Sequence, residues 1–273
     1  MKKKLFLMMS TMLACACVLT GCGKAEGSEN VSTEADVVIE TGENNMVGNE
    51  NEATGFTVKE QNISNGYIYI HDIAFELPLT YEALEAKGIY AVMGEGKSGA
   101  NIINMQVEVL EEYGYMYSAD SGFPQPANFC YITEEAGEKK IVLIEDVYAT
   151  VYCNNEDAGF EPTKTDWSIA SVQNSEELVN YIGINAASGE LTLNEMNAVL
   201  GEPVVNQKDA LFVYPQADYL IVAYCSTALY EEVTADTPID LVSVYTWDGL
   251  KEFEEAYGTS KLPGMELNQE DYQ

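Results

Sequence analysis

The sequence predicts an α+β protein in which two related modules, each a short capped helix with antiparallel strands, follow a disordered tether. Three observations lead to this prediction. Short runs rich in Tyr, Ile and Val start near Phe56 and are separated by turn residues, which is typical of strands. A Thr followed by a short helical pattern precedes strand-like runs in each half. The residues before Phe56 are polar and acidic, so burial cannot offset their ordering entropy.

The first residues have the arrangement of an export signal. Lys2–Lys4 are positively charged, Leu5–Val18 is apolar apart from Ser10 and Thr11, and polar acidic sequence follows. The apolar run is shorter than the roughly 20 residues of a membrane-spanning helix. It therefore predicts a cleaved signal peptide over residues 1–21.

The signal ends in Leu19-Thr20-Gly21-Cys22, an aliphatic residue, two small residues and a cysteine. This motif resembles the lipobox of bacterial lipoproteins. The resemblance implies cleavage before Cys22, attachment of fatty acyl chains such as palmitate to that cysteine, and anchoring on the outer, extracellular face of the cell membrane. Two acyl chains are enough for stable anchoring, so the membrane is an expected partner through the lipid on Cys22.

The tether is predicted over residues 22–55. Its composition is that of a flexible chain, with a root-mean-square reach of roughly 30 Å. The first α+β module is then predicted at 56–165 and the second at 166–273.

In the first module, alternating apolar residues over 68–77 predict two strands that meet in a tight turn at His71-Asp72. Thr80 is the expected N-cap of a short helix that stops by Gly88. Further strands are expected at Ile102–Leu110, Tyr113–Tyr117, Asn128–Thr133 and Ile141–Tyr152.

In the second module, Thr192 and Glu195 form a predicted capping box at the start of a helix that Gly201 ends. Asp248 is expected to cap a last helix that stops at Gly258. Three strands are expected between these helices, at Ala210–Tyr214, Tyr219–Cys225 and Ile239–Thr246.

Leu191–Thr246 resembles a helix-then-three-strands unit shared by β-lactamase inhibitory protein and the small lipoproteins of outer-membrane assembly. The resemblance includes the turn Leu200-Gly201-Glu202-Pro203. The segment Phe75–Tyr81 is also similar to the hairpin-Leu-Pro-helix opening of uncharacterised lipoproteins from Gram-positive gut bacteria. These motifs are structural, and the resemblance implies a β-lactamase-inhibitor-like fold and a non-enzymatic protein-binding role. It supplies no active-site residue.

The chain has 13 Lys plus Arg, 45 Asp plus Glu and a formal net charge of −32, and it contains no Arg. Phosphate recognition depends on Arg forks or Lys clusters, so nucleic acid is not an expected partner. An acidic surface of this kind attracts cations or basic peptides, although it also serves simply to keep an exported protein soluble.

Catalytic residue types are scarce. His71 is the only histidine, and its predicted turn position suits a left-handed backbone. No catalytic residue, metal site or cofactor is predicted, and the protein is not expected to be an enzyme. Cys130, Cys153 and Cys225 are an odd set of three, which argues against a disulfide framework. Buried thiols are favoured, and a single pair among the three is the alternative.

The strongest sequence lead for a binding surface is Tyr113, Tyr115 and Tyr117, which alternate along one predicted strand and so share a face. A half-buried sheet face is the alternative interpretation of the same pattern. We expect a cell-surface, lipid-anchored, non-catalytic protein that binds an envelope or extracellular protein. A solute-binding lipoprotein of a transporter and, less favoured, a secreted hydrolase remain as alternatives.

Overall fold

The computed structural model describes residues 56–93, 106–108, 110, 125–153, 167–186, 190–229 and 231–273. They form an α+β protein of antiparallel strands and a few short helices, as the sequence predicts. Among these residues, no helix is long and apolar enough to cross a membrane. The strands are β1 (Thr57–Val58), β2 (Tyr67–Ile70), β3 (Ile73–Glu76), β4 (Ile89–Met93), β5 (Gln125–Glu135), β6 (Glu138–Cys153), β7 (Trp167–Asn174), β8 (Ile184–Asn185), β9 (Val204–Asn206), β10 (Leu211–Pro215), β11 (Tyr219–Tyr224) and β12 (Leu241–Thr246). The helices are α1 (Tyr81–Glu85), α2 (Leu178–Ile182), α3 (Leu193–Leu200) and α4 (Trp247–Tyr257).

Eight of the described strands form one antiparallel sheet in the order β4-β5-β6-β7-β12-β11-β10-β9. β7 lies near its middle and pairs with β6 on one side and β12 on the other. The predicted boundary between the two modules, after residue 165, lies outside the described residues. Strands from both sides of that boundary belong to the same sheet.

The sequence pattern does not predict β7, and a β-bulge explains why. Thr150 of β6 pairs with Ser171, whereas Val151 pairs with Ile169, so Ala170 is an extra residue on β7. The bulge breaks the two-residue alternation that identifies a strand. Ile169 and Val172 consequently face the same core although they are three positions apart.

The main core lies on one face of the sheet, beneath the β2–β3 hairpin and the helices α1, α2 and α3. Its buried side chains include Ile68, Phe75, Leu84, Tyr181 and Met196. The opposite face carries two smaller apolar clusters. The alternation is visible on β5, where neighbouring residues belong to different clusters, as opposite faces of a strand require.

The predicted hairpin is confirmed. Ile70 pairs with Ile73, and the two residues between them, His71 and Asp72, have φ values of 51° and 60°. Two consecutive left-handed residues are the signature of a type I′ turn, whose twist matches that of the flanking strands.

Two predicted helix starts are also confirmed. The Thr80 hydroxyl accepts a hydrogen bond from the Ala83 N–H at 3.2 Å. At the start of α3, the Glu195 carboxylate accepts from the Thr192 N–H and from the Thr192 hydroxyl, both at 2.8 Å, completing the capping box. Gly201 follows the last residue of α3.

The expected cap of the last helix is wrong by two residues. The N-cap of α4 is Thr246, whose hydroxyl accepts from the Gly249 N–H at 3.0 Å and donates to the Ala170 carbonyl at 3.3 Å. Thr246 is the last residue of β12, so strand and helix join without a loop. Asp248 lies in the first turn, where it pairs with Lys251 at 3.3 Å.

The strand predicted at Ile102–Leu110 is wrong where the structure describes it. Val107, Glu108 and Leu110 are helical, and the Leu110 N–H donates to the Gln106 carbonyl at 3.4 Å. Val107 and Leu110 pack against the smaller cluster that contains Cys130. A spacing of three residues brings two side chains to one face of a helix, and such a short apolar run fits either structure.

Two of the three cysteines beyond Cys22 are confirmed as buried free thiols. Cys130 and Cys225 are fully inaccessible and not disulfide-bonded. Burial raises the pKa of each thiol to about 12, and Asp240 adds to this effect at Cys225. The side chain of Cys153 lies outside the described residues.

Candidate functional site

Two clefts lie at opposite ends of β7. The histidine cleft, of about 350 Å³, adjoins the last residue of β7, and its walls include His71, Asp72, Tyr131, Asp146, Glu177 and Tyr181. The tryptophan cleft, of about 440 Å³, adjoins the first residue of β7, and its walls include Tyr81, Tyr152, Trp167, Trp247, Asp218 and Asp248. Both volumes fall within the roughly 300–1,000 Å³ that is typical of ligand sites.

An aromatic pair forms one wall of the histidine cleft. The hairpin turn holds His71 on the surface, and its ring stacks on Tyr131 of β5 with centroids 4.6 Å apart and planes 25° from parallel. The sequence places His71 correctly at the turn. The stacking partner follows only from the packing of the hairpin on the sheet.

A bulge in β6 forms the second wall. Asn128 of β5 pairs with Tyr148, whereas its neighbour Phe129 pairs with Ile144, so β6 carries the extra residues 145–147 at this point. Asp146 has a φ of 65°, and the bulge brings it to the cleft together with Glu145. Bulges that redirect side chains in this way are frequent beside binding sites.

Left-handed backbone is concentrated at the histidine cleft. The described part of the chain has six non-glycine residues with positive φ, and four of them line this cleft: His71, Asp72, Asp146 and Glu177. At His71 and Asp72 the type I′ turn requires this backbone, whereas at Asp146 and Glu177 it costs free energy and persists because the surrounding structure holds it. Asp and His tolerate it better than most residues.

The electrostatics of the histidine cleft are dominated by negative charge. Five carboxylates line it: Asp72, Glu145, Asp146, Glu176 and Glu177. Lys59 contacts the same region, with its Nζ atom 4.0 Å from the centre of the Tyr69 ring. Burial lowers the pKa of Lys59, and the nearby charge of Asp72 partly offsets this effect.

Two buried residues that line the histidine cleft have hydrogen-bonded side chains. Tyr181 is buried and its hydroxyl donates to the Val172 carbonyl at 3.2 Å. Asn174 is also buried, and its side-chain oxygen accepts from the Glu176 N–H at 2.7 Å. The hydrogen bond that the Asn174 side chain accepts fixes the turn that leads to α2, and therefore the position of Glu177.

The tryptophan cleft contains both tryptophans of the chain. Trp167 and Trp247 are buried and line it. The Trp247 indole N–H donates to the Gln216 carbonyl at 3.0 Å, and the Trp247 ring stacks on Tyr272 with centroids 6.1 Å apart. These contacts fix the orientation of Trp247.

Tyr152 is the most accessible aromatic side chain of the tryptophan cleft. It lies opposite Ser168 in the β6–β7 pairing and is half-buried. Burial raises the pKa of Tyr152, the negative charges of Asp248 and Glu252 raise it further, and a hydrogen bond with Ser168 acts in the opposite direction. The phenol is therefore neutral at physiological pH.

Tyr113, Tyr115, Tyr117 and Cys22 are outside the described residues, so both predictions concerning them stand as predictions. Sequence reasoning missed the two clefts. One available signal was Glu145-Asp146, a charged pair that interrupts the apolar pattern of a long strand and marks the bulge.

Within the described ranges, no group of three or more His, Cys, Asp or Glu side chains could hold a metal ion. The carboxylates of the histidine cleft line its walls without converging on one point. What they offer is a negatively charged surface beside stacked aromatic rings.

Comparison of the chain with protein-family models, with curated proteins and with solved structures finds no match.

Proposed function

We propose that this chain is a lipid-anchored, non-catalytic binding protein on the outer face of a bacterial membrane, and that its histidine cleft binds a basic segment of an envelope or extracellular protein. The observation that carries the proposal is the combination of the His71–Tyr131 stack with surrounding carboxylates in one preformed cleft. Aromatic faces and carboxylates both attract a Lys or Arg side chain.

The charge of the whole chain supports a basic partner. A net charge of −32 produces a field that attracts cationic surfaces and accelerates their encounter. The carboxylates of the histidine cleft then provide the local contacts.

Lys59 is an internal example of the proposed contact. Its ammonium group lies over the Tyr69 ring and interacts with Asp72. Because Tyr69 and Asp72 both line the histidine cleft, this wall already accommodates a cation of the chain itself.

The location rests on the sequence. The signal over residues 1–21, the lipobox ending at Cys22 and the tether over 22–55 support a domain held at a distance from the membrane. The resemblance to β-lactamase inhibitory protein supports a protein partner. We also propose that the two capped helices, α1 and α3, begin two related modules, since each is followed by consecutive antiparallel strands.

The test is calorimetric titration of the full chain, carrying Cys22→Ser, with acetylated tri-lysine amide. Tri-alanine and tri-glutamate amides serve as uncharged and anionic controls. We expect only tri-lysine to bind, with affinity that falls as salt rises. Asp72→Asn/Asp146→Asn should weaken binding by about tenfold, because it removes two charges and retains residue types that tolerate the left-handed backbone.

A matched variant, Asp236→Asn/Glu254→Gln, removes two exposed charges outside both clefts. It should leave binding nearly unchanged. Equal weakening by the two double variants would mean that overall charge is responsible, and would exclude the histidine cleft as the site.

A further inference from the structure

We propose that the tryptophan cleft is a second and separate ligand site, and that it binds an uncharged oligosaccharide. The proposal is independent of the histidine cleft, because the two clefts adjoin opposite ends of β7. An eight-residue strand spans roughly 25 Å. A saccharide and a basic segment could therefore be bound at the same time.

The aromatic rings are the first argument. Four of them line this cleft, and they include both tryptophans of a 273-residue chain. The face of an aromatic ring carries partial negative charge, whereas the C–H bonds on one side of a pyranose ring carry partial positive charge. Of the four, Tyr152 is half-buried and neutral, and the other three are buried.

The polar groups are the second argument. Exposed Asp218, Glu82 and Asp248 lie at the cleft together with the side chains of Thr80 and Gln269. Carboxylate oxygens accept hydrogen bonds from pairs of hydroxyl groups. A fully apolar ligand would remove water from these groups without replacing its hydrogen bonds, which is costly.

Charge restricts the class of saccharide. The lining of the tryptophan cleft contains carboxylates and no Lys, Arg or His. Lys251, which pairs with Asp248 of this cleft, is exposed and is not part of the lining. A saccharide bearing carboxylate, sulfate or phosphate groups would be repelled, so anionic saccharides are excluded.

The experiment uses tryptophan fluorescence of the full chain carrying Cys22→Ser. Since both tryptophans are in the cleft, emission reports this site directly. The probes are cellotriose, maltotriose and chitotriose as uncharged saccharides, with trigalacturonate as the anionic counterpart and acetylated tri-lysine amide as the cationic one. We expect at least one uncharged trisaccharide to change the emission saturably, and trigalacturonate to have no effect at the same concentrations.

Variants of Tyr152 test the contact itself. Tyr152→Ala should weaken the affinity for the responding saccharide by about tenfold. Tyr152→Phe keeps the ring, and its affinity should stay within about threefold of that of the wild type. Tyr148→Ala removes an exposed tyrosine of the same strand outside the cleft, and it should leave saccharide binding unchanged.

The outcomes separate this proposal from the proposed function. The saccharide site is overturned if none of the uncharged trisaccharides changes the emission at millimolar concentration, if trigalacturonate acts equally well, or if only tri-lysine does. It is also overturned if Tyr152→Ala leaves saccharide affinity intact. If tri-lysine still binds the Tyr152→Ala variant in calorimetry, the proposal for the histidine cleft stands, whichever of these saccharide results is found.

Discussion

Gly249 of α4 lies so close to Ala170 of β7 that a Cβ atom added to Gly249 would be 2.6 Å from both the Cα and the Cβ of Ala170. Ala170 is the extra residue of the β7 bulge, so the helix begins directly over the point where the strand is distorted. Only glycine permits such an approach of helix to sheet.

Gly249→Ala should therefore destabilise the protein by about 1–3 kcal/mol, because the backbone or the bulge must shift to admit the methyl group. Chemical denaturation measures the free energy of unfolding. Glu255→Ala, at an exposed position on the same helix, should change it by less than about 0.5 kcal/mol. Equal stabilities for the two variants would show that the contact is not tight.

Glu195 is a buried charged residue, 5% exposed, whose carboxylate accepts two hydrogen bonds from Thr192. Glu195→Ala leaves both donors without their acceptor and should cost about 1–3 kcal/mol in thermal or chemical unfolding. Glu195→Gln keeps one acceptor oxygen and should cost less. If Glu195→Ala is no more harmful than Glu254→Ala on an exposed helix face, the capping box contributes nothing.

Cys130 and Cys225 should resist alkylation in the native protein. Both are inaccessible and have a pKa of about 12, so neither the thiolate nor a path for the reagent is available at pH 8. Peptide mass spectrometry after iodoacetamide treatment measures the labelling of each cysteine. The same protein in guanidinium, where both should react fully, is the reference, and rapid native labelling of either residue would contradict its burial.

The raised pKa values of the same two thiols lead us to expect that the folded protein loses stability at alkaline pH. Their pKa in the folded state is raised above the ordinary thiol value of 9.0, so above pH 9 the folded state retains protons that the unfolded state has lost. The stabilisation is complete below about pH 9 and is lost as pH rises toward 12. Unfolding free energies at pH 8, 9, 10 and 11 should fall, and less steeply in Cys225→Ala. If the free energy of unfolding falls equally with pH in the variant and the wild type, Cys225 does not cause the loss of stability.

The positive charge of Lys59, close to Tyr69 and Asp72 of the histidine cleft, should oppose the binding of a cationic ligand. Lys59→Gln removes the ammonium that lies over Tyr69 and near Asp72, so tri-lysine should bind several-fold more tightly than to the wild type. Lys87→Gln removes the same charge from an exposed position outside the cleft and provides the comparison. Weaker binding after Lys59→Gln would mean that Lys59 stabilises the wall of the cleft and does not repel the ligand.

Local interactions made part of this fold predictable. The His71-Asp72 turn, the Thr80 cap and the Thr192–Glu195 box each involve residues within a few positions of one another, so their residue types suffice to identify them. The cap at Thr246 was missed because that residue also ends a strand, and Asp248 has the more familiar residue type for a cap.

The clefts could not be predicted in the same way. His71 and Tyr131 are about 60 residues apart in sequence, and Trp167 and Trp247 about 80. The two residues of each pair come together only because of the order of strands in the sheet. That order depends on β7, which the alternation of apolar residues does not identify because of its bulge. Without β7 the two groups of strands have no known register, so side chains at the ends of the sheet cannot be placed together.

The position of β7 also constrains the order in which the molecule can assemble. Ser171 pairs with Tyr245 and Asn174 with Val242, so this ladder closes a loop of about 70 residues and forms late relative to the local hairpins around it. A chain made from its N-terminus has β7 available long before β12. Until β12 is available, the edge of β7 that pairs with it is unpaired and can bind a strand of another chain. The interval between the emergence of these two strands is thus a period in which β7 can pair with a strand of another copy.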